Sequence, residues 1–153
     1  MNAWTRSLDM WDRDWKGKSF NGPNLREELL AHPAQEAASD RNAEEYTVWG
    51  VALHVHKYKE MMLALLEGRE PVWPEGDEDF PPVPEGGLTE PKWLEVIGLM
   101  DETHDALVAH ARGLDEAFLE TVFPPWEISW GETFAWAVGH DGYHTAQIRN
   151  MKR

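Results

Sequence analysis

Large apolar residues recur along this chain with the period of a helix. Near the start, Trp4, Leu8, Trp11 and Trp15 follow one another at intervals of four, three and four, which puts them on one face of a helix over residues 2–16. Glycines at 17 and 22 break the pattern. A shorter helix is predicted from Pro23, a residue suited to a first helical turn, with Gly22 or Asn21 before it. Glu27 and Glu28 fall early in that segment, Leu25, Leu29 and Leu30 form its apolar edge, and His32-Pro33 ends it. A long helix is predicted over 42–67. Asn42 with Glu45 has the form of a capping box, Gly68 is a C-terminal stop, and one face reads Thr47, Val51, His54, Tyr58, Met61, Leu65. Another helix starts near Thr89 with Pro91 in its first turn and reaches about Phe118. Its face is Val96, Met100, Thr103, Leu107, His110 or Ala111, and Leu114. The last begins at Ser129, where Glu132 completes a capping box, and runs to the end of the chain. Its inward face carries Thr133, Trp136, Ala137, His140, His144, Gln147, Ile148 and Met151.

Two stretches lack this period. Residues 69–88 hold Pro71, Pro74, Pro81, Pro82 and Pro84 with Gly76, Gly86 and Gly87, and read as an acidic surface crossover of a length that is commonly functional or mobile. Residues 121–128, TVFPPWEI, form a second connector. No strand pattern and no internal repeat is present. The expectation is an all-α fold of four or five helices, packed as a four-helix bundle with a long crossover, in a single domain over residues 1–153.

Charge narrows the partners. Fourteen Lys and Arg against 28 Asp and Glu leave a net charge of −14 with His neutral. Nucleic acid is a poor partner for such a chain, because phosphate contacts need clustered basic residues. An anionic membrane surface repels it as well. The longest apolar run, Met61 to Leu66, is six residues, whereas a membrane helix needs about 20. The first residues alternate charges with Trp and contain no apolar leader segment, so a cytoplasmic location is expected. Cys is absent, which excludes disulfides, thiolate nucleophiles, Cys-ligated zinc and iron–sulfur clusters. Of the nine Trp, Trp4, Trp11, Trp15 and Trp49 sit at helical spacing and fill either the core or a homodimer face.

The chemistry-bearing residues are histidines. His140 and His144 stand one helical turn apart, where two imidazoles can share one metal ion. Their face also carries Trp136, Ala137, Ile148 and Met151, so it points inward. His54 lies on the apolar stripe of its own helix. Inward imidazoles need partners, and facing helices of a bundle are where metal sites are built. Gln147 shares the His140 and His144 face and is placed to hold a bound water or substrate, or to make a packing hydrogen bond. Tyr58, one turn after His54, brings either a phenol to the cavity or bulk to the core. His104 lies beside the inner stripe of its helix as an acid–base candidate or a structural residue. Asp141 is rotated about 100° from His140, toward a neighbouring helix or solvent. Tyr143, His32, His56 and His110 read as packing or surface residues.

The stretch GHDGYHTAQIRNMKR resembles the last helix of the DinB/YfiT-like family of helical-bundle metalloproteins, whose motif is approximately His-Asp-x-Tyr-His-x-x-Gln-Ile. TVWGVALHVHKYKEMMLALLEG resembles that family's second helix, where a Trp lies five residues before the first ligand His. That offset from Trp49 selects His54 over His56. SFNGPNLREELL, VWPEGDEDFPPVPE and KWLEVIGLMDETHDALV follow one branch of the family, with Asn21 where that branch often has His. The resemblance covers nearly the whole chain.

It implies a four-helix bundle and one divalent ion, zinc or nickel, on His54, His140 and His144. Three neutral imidazoles leave an ion its full charge and an open position, the usual catalytic pattern for zinc. Some relatives in the family are S-transferases that use low-molecular-weight thiols such as mycothiol, bacillithiol or glutathione. Others are metal-dependent hydrolases. The expectation is therefore a thiol S-transferase acting on a small molecule. The alternatives are a metal-dependent hydrolase and a non-catalytic metal- or small-ligand-binding stress protein.

Overall fold

The computed structural model describes residues 3–71 and 78–151. Seven helices and one short hairpin follow in order: α1 (Ala3–Lys16), α2 (Leu25–Leu30), α3 (Ala34–Ser39), α4 (Val48–Leu66), α5 (Glu90–Arg112), α6 (Glu116–Leu119), β1 (Val122–Phe123), β2 (Ile128–Ser129) and α7 (Trp130–Arg149). The chain is helical, as the apolar period predicts. Its four long helices touch in a closed cycle, α4 against α5 and α7, and α1 against the same two. Helices α2 and α3 pack over this group, α2 against α7 and α1, α3 against α4 and α5.

Local chemistry sets the helix ends, and it moves several predicted boundaries. Helix α2 begins after Asn24, not at Pro23. The Asn24 side chain accepts from the Glu27 amide at 2.8 Å while the Glu27 carboxylate accepts from the Asn24 amide at 2.9 Å. Helix α4 begins at Val48, not Asn42. The Asn42 side chain instead accepts from the amides of Glu44 and Tyr46 (3.1 and 2.9 Å), a turn that leaves Glu45 at φ +66° and outside any helix. The Thr47 hydroxyl caps α4 by accepting from the Gly50 amide at 2.9 Å. Helix α5 stops at Arg112 with Gly113 as its cap, and Asp115 then caps the separate turn α6. The segment read as a plain connector forms an antiparallel hairpin, with Val122 opposite Ser129 and Phe123 opposite Ile128. The Ser129–Glu132 capping box starts α7 as predicted.

Helix α4 lies at the centre and is buried on nearly every side, including His54, His56 and Lys59. Around it, Trp15, Trp49, Trp93, Met100 and Ile148 belong to one apolar cluster, and Trp11, Met62, Leu107, Phe123 and Phe134 to another. Trp11, Trp15 and Trp49 are therefore core residues within one chain, while Trp4 is half-buried and donates to the Ala111 carbonyl at 2.8 Å. Among the described residues no helix is long and apolar enough to cross a membrane.

Gly68 ends α4 at φ +69°. Its amide reaches the Leu65 carbonyl at 3.3 Å and the next amide, of Arg69, reaches the Ala64 carbonyl at 2.9 Å. Among the described residues nothing lies within 4 Å of a Cβ built there, so a substitution meets backbone strain. Gly68→Ala is expected to lower stability by about 1 kcal/mol. In urea unfolding this appears as a lower midpoint with an unchanged slope.

Candidate metal centre

Helices α4 and α7 bring three imidazoles together. His54 Nε2 lies 2.9 Å from His140 Nε2, and His144 Nε2 lies 3.0 Å from the same atom. The three ring nitrogens are all within 4.8 Å of one another. His54 and His144 are buried, and His140 is half-buried.

The outer nitrogens explain why the inner ones meet. His54 Nδ1 is 2.9 Å from the Asp79 carbonyl, which can only accept, so Nδ1 carries the hydrogen. His144 Nδ1 donates in the same way to Gln147 Oε1 at 2.7 Å. A neutral ring with its hydrogen on Nδ1 presents a bare lone pair at Nε2. Two such lone pairs aim at His140 Nε2, which holds at most one hydrogen and satisfies one of them. A cation among the three nitrogens satisfies all. Ligand bonds of about 2.0–2.1 Å at tetrahedral angles place nitrogens roughly 3.3 Å apart, close to the 2.9 and 3.0 Å of the two pairs that share His140. The residues thus fit a divalent ion, and the carbonyl and amide behind two of them are the outer partners that such ligands use.

Electrostatics keeps the rings neutral. Burial, then the neighbouring imidazoles, pushes His140 down to about 2. Burial also lowers His144, to about 4 against the pull of Gln147, and lowers His54 against the pull of Asp79.

Aromatic walls surround the centre. Phe80 stacks on His54 (4.1 Å between ring centres, 7° between planes) and Trp136 stacks on His140 (4.3 Å, 26°). Tyr58 stands edge-on to both histidines, and Trp126 meets Trp136 at 4.5 Å. Tyr58 donates to Asp79 Oδ1 at 2.9 Å. Burial, then Asp79, raises its phenol to about 12, so it stays protonated. Asp79 and Phe80 come from the Pro-rich crossover, which lies against α4 at Gly50. A Cβ there would stand 3.2 Å from the Pro81 carbonyl, so glycine permits the approach one turn before His54. The rest of that crossover's predicted surface run, residues 72–77, lies outside the described residues.

Other candidates fall elsewhere. His104 does not join the three histidines. It is fully buried against Trp11 and Trp15, and its Nδ1 accepts from Lys59 at 3.0 Å, so it has no route to act as an acid or base there. Gln147 is an outer partner of His144, and its oxygen is committed to that ring. Tyr58 meets the centre with its ring against His54 and His140 and with its hydroxyl on Asp79. Asp141 faces away, paired with Lys59 at 2.8 Å. His56 lies on the opposite side of α4 and bonds Thr103 Oγ1 at 3.0 Å, while His32 is buried against the Glu28 carbonyl. His110 and Tyr143 are exposed, and so is Asn21. Sequence reasoning missed Asp79, Phe80 and Lys59. Lys59 alone left a trace, as a cation on the buried face of Val48, Val51, Val55 and Met62.

These features define a helical protein with a three-histidine cluster, held between two of its long helices, that could take a divalent ion. The family model of the DinB superfamily matches residues 22–148, a span that contains all three histidines, and the chain belongs to that superfamily. No match is found among curated proteins or among solved structures.

The lowered histidines make the metal-free protein acid-sensitive. The unfolded rings bind protons below about 6.5, whereas folded His144 and His140 resist them to about 4 and about 2. Their contribution is complete above 6.5 and is lost as pH falls from there through 4. The urea midpoint of chelator-treated protein is expected to drop between pH 7 and pH 5, and to drop less in His144→Gln. An equal drop in both proteins assigns the sensitivity to other groups.

Proposed function

We propose that the chain holds one divalent ion, zinc or nickel, on His54, His140 and His144, and that it is a metal-dependent transferase of low-molecular-weight thiols. The observation that carries the reading is the convergence of three Nε2 atoms, with the outer nitrogens of His54 and His144 fixed by Asp79 and Gln147. Held by three neutral ligands, the ion would supply positive charge and an open position that acidify an incoming thiol. With no Cys in the chain, the thiol comes with the substrate. The carboxylate of Asp79, half exposed and 3.3 Å from His54 Nδ1, would help to hold that ring from its outer side, and the thiol proton would leave to solvent. Tyr58 orients that carboxylate through its hydrogen bond. Phe80, Trp136 and Trp126 shield the rings from water and give a flat wall for the small electrophile that accepts the sulfur. The net charge of −14 is in keeping with small-molecule partners and not with nucleic acid.

The same three-histidine convergence favours a second reading, metal-dependent hydrolysis, in which the open position would acidify water instead of a thiol. A screen of thiol conjugation against ester and amide cleavage separates the two. Turnover of neither class makes the protein a non-catalytic binder.

Elemental analysis of protein purified without affinity-tag metal is expected to give about one ion per chain. His54→Ala, His140→Ala and His144→Ala should each lose it, and His56→Ala should keep it. Metal should raise the melting temperature only in proteins that retain all three ligands. Parent-like metal content and melting temperature in His140→Ala would overturn the assignment. Asp79→Asn should keep the metal, with its affinity weakened up to about 10-fold.

A further inference from the structure

A second buried polar cluster lies beside the three histidines and joins all four long helices. At its centre the Lys59 ammonium of α4 donates to Asp141 Oδ2 of α7 at 2.8 Å and to His104 Nδ1 of α5 at 3.0 Å. It also lies 3.8 Å from the ring centre of Trp15 in α1. Those three neighbours use the three hydrogens of the ammonium. Asp141 Oδ2 accepts a second bond, from Trp11 Nε1 of α1 at 2.7 Å, while Asp141 Oδ1 is buried with no partner among the described residues. Lys59 and Asp141 are each 2% exposed.

A pair this dry is a weak source of stability, because desolvating both ions offsets their attraction and apolar residues of like size do as well. Its directionality is what apolar residues lack. Lys59 lies five residues beyond His54 on α4, and Asp141 directly follows His140 on α7. The contact therefore ties the two helices that carry the histidines, about 7.5 Å along α4 from His54. Turning or sliding α7 enough to part His140 from His54 also breaks the 2.8 Å contact and leaves two buried charges unpaired.

We propose that Lys59 and Asp141 are the positioning pair of the three-histidine centre, fixing the rotation and height of α7 against α4. The inference rests on the metal-binding reading and goes beyond it. Neither side chain touches the ion. Each acts through the helix it anchors.

The test is the double variant Lys59→Met/Asp141→Leu, which removes both charges and keeps the volume. Three quantities are read: the urea midpoint without metal, the zinc Kd by chelator competition, and the visible spectrum of the Co2+-loaded protein. The expected result is a midpoint at or above the parent's, a zinc Kd weakened 10–100-fold, and cobalt bands shifted and reduced in intensity. A folded double variant whose Kd is within twofold of the parent's and whose cobalt spectrum is unchanged overturns the proposal. Asp141→Glu serves if the double variant does not fold. It keeps the charge and lengthens the arm by one methylene, so a positioning role predicts the same weakened affinity and altered spectrum, and parent-like values overturn it. Parent and His140→Ala are measured alongside. A parent that binds no zinc ends the metal reading and this proposal together, whereas a parent that binds zinc beside an unimpaired double variant ends this proposal alone.

Discussion

A helix buried on nearly every side must find partners for the imidazole and ammonium groups it buries. Helix α4 carries three such groups within six residues, His54, His56 and Lys59. Left unpaired, each would cost about 1–3 kcal/mol, and a lone charge more. The surrounding elements are arranged as answers to that demand. The crossover and α7 serve His54, Thr103 of α5 serves His56, and α1, α5 and α7 converge on Lys59. The three-histidine cluster is the one place where this demand is met by groups that all offer lone pairs. That is why it points to a cation, while His56 meets a hydroxyl and Lys59 a carboxylate.

The long helices were legible because apolar spacing and caps are local. Ser129 with Glu132, Thr89 before α5 and Gly68 after α4 each act within four residues of themselves. Helix α3 was illegible for the same reason: AQEAAS has no large apolar residue to show a period, and it is held by buried Ala34 and Ala37 and by the Ala34 amide on Glu90 Oε2 at 2.8 Å. Asn42 misled because an Asn followed three residues later by Glu fits a helix start, and the Asx turn it makes uses the same side-chain oxygen. Glu45 at φ +66° settles the matter at a position where sequence carries no mark.

The centre was half legible. His140 and His144 announce themselves by spacing, and His54 by its place on an apolar stripe and by the resemblance that prefers it to His56. Their outer partners divide by distance along the chain. Gln147 is three residues from His144 and shares its face. Asp79 is 25 residues from His54 and reaches it only because the crossover folds back across Gly50. No periodic argument can see a contact made by a loop. His104 stayed open between an acid–base and a structural role for a similar reason, since the lysine and two tryptophans that enclose it come from other helices.

The superfamily match begins at residue 22, beyond the end of α1, yet α1 supplies Trp11 and Trp15 to the cluster around Lys59. The span that carries the family pattern and the span that keeps its interior dry therefore differ. Helix α1 acts as a stopper. Its two indoles occupy ground where solvent would otherwise reach an ammonium, an imidazole and a carboxylate, and solvated charges no longer hold one another at a fixed angle. The cover over this polar cluster is thus borrowed in part from a segment that contributes no histidine and lies outside the matched span.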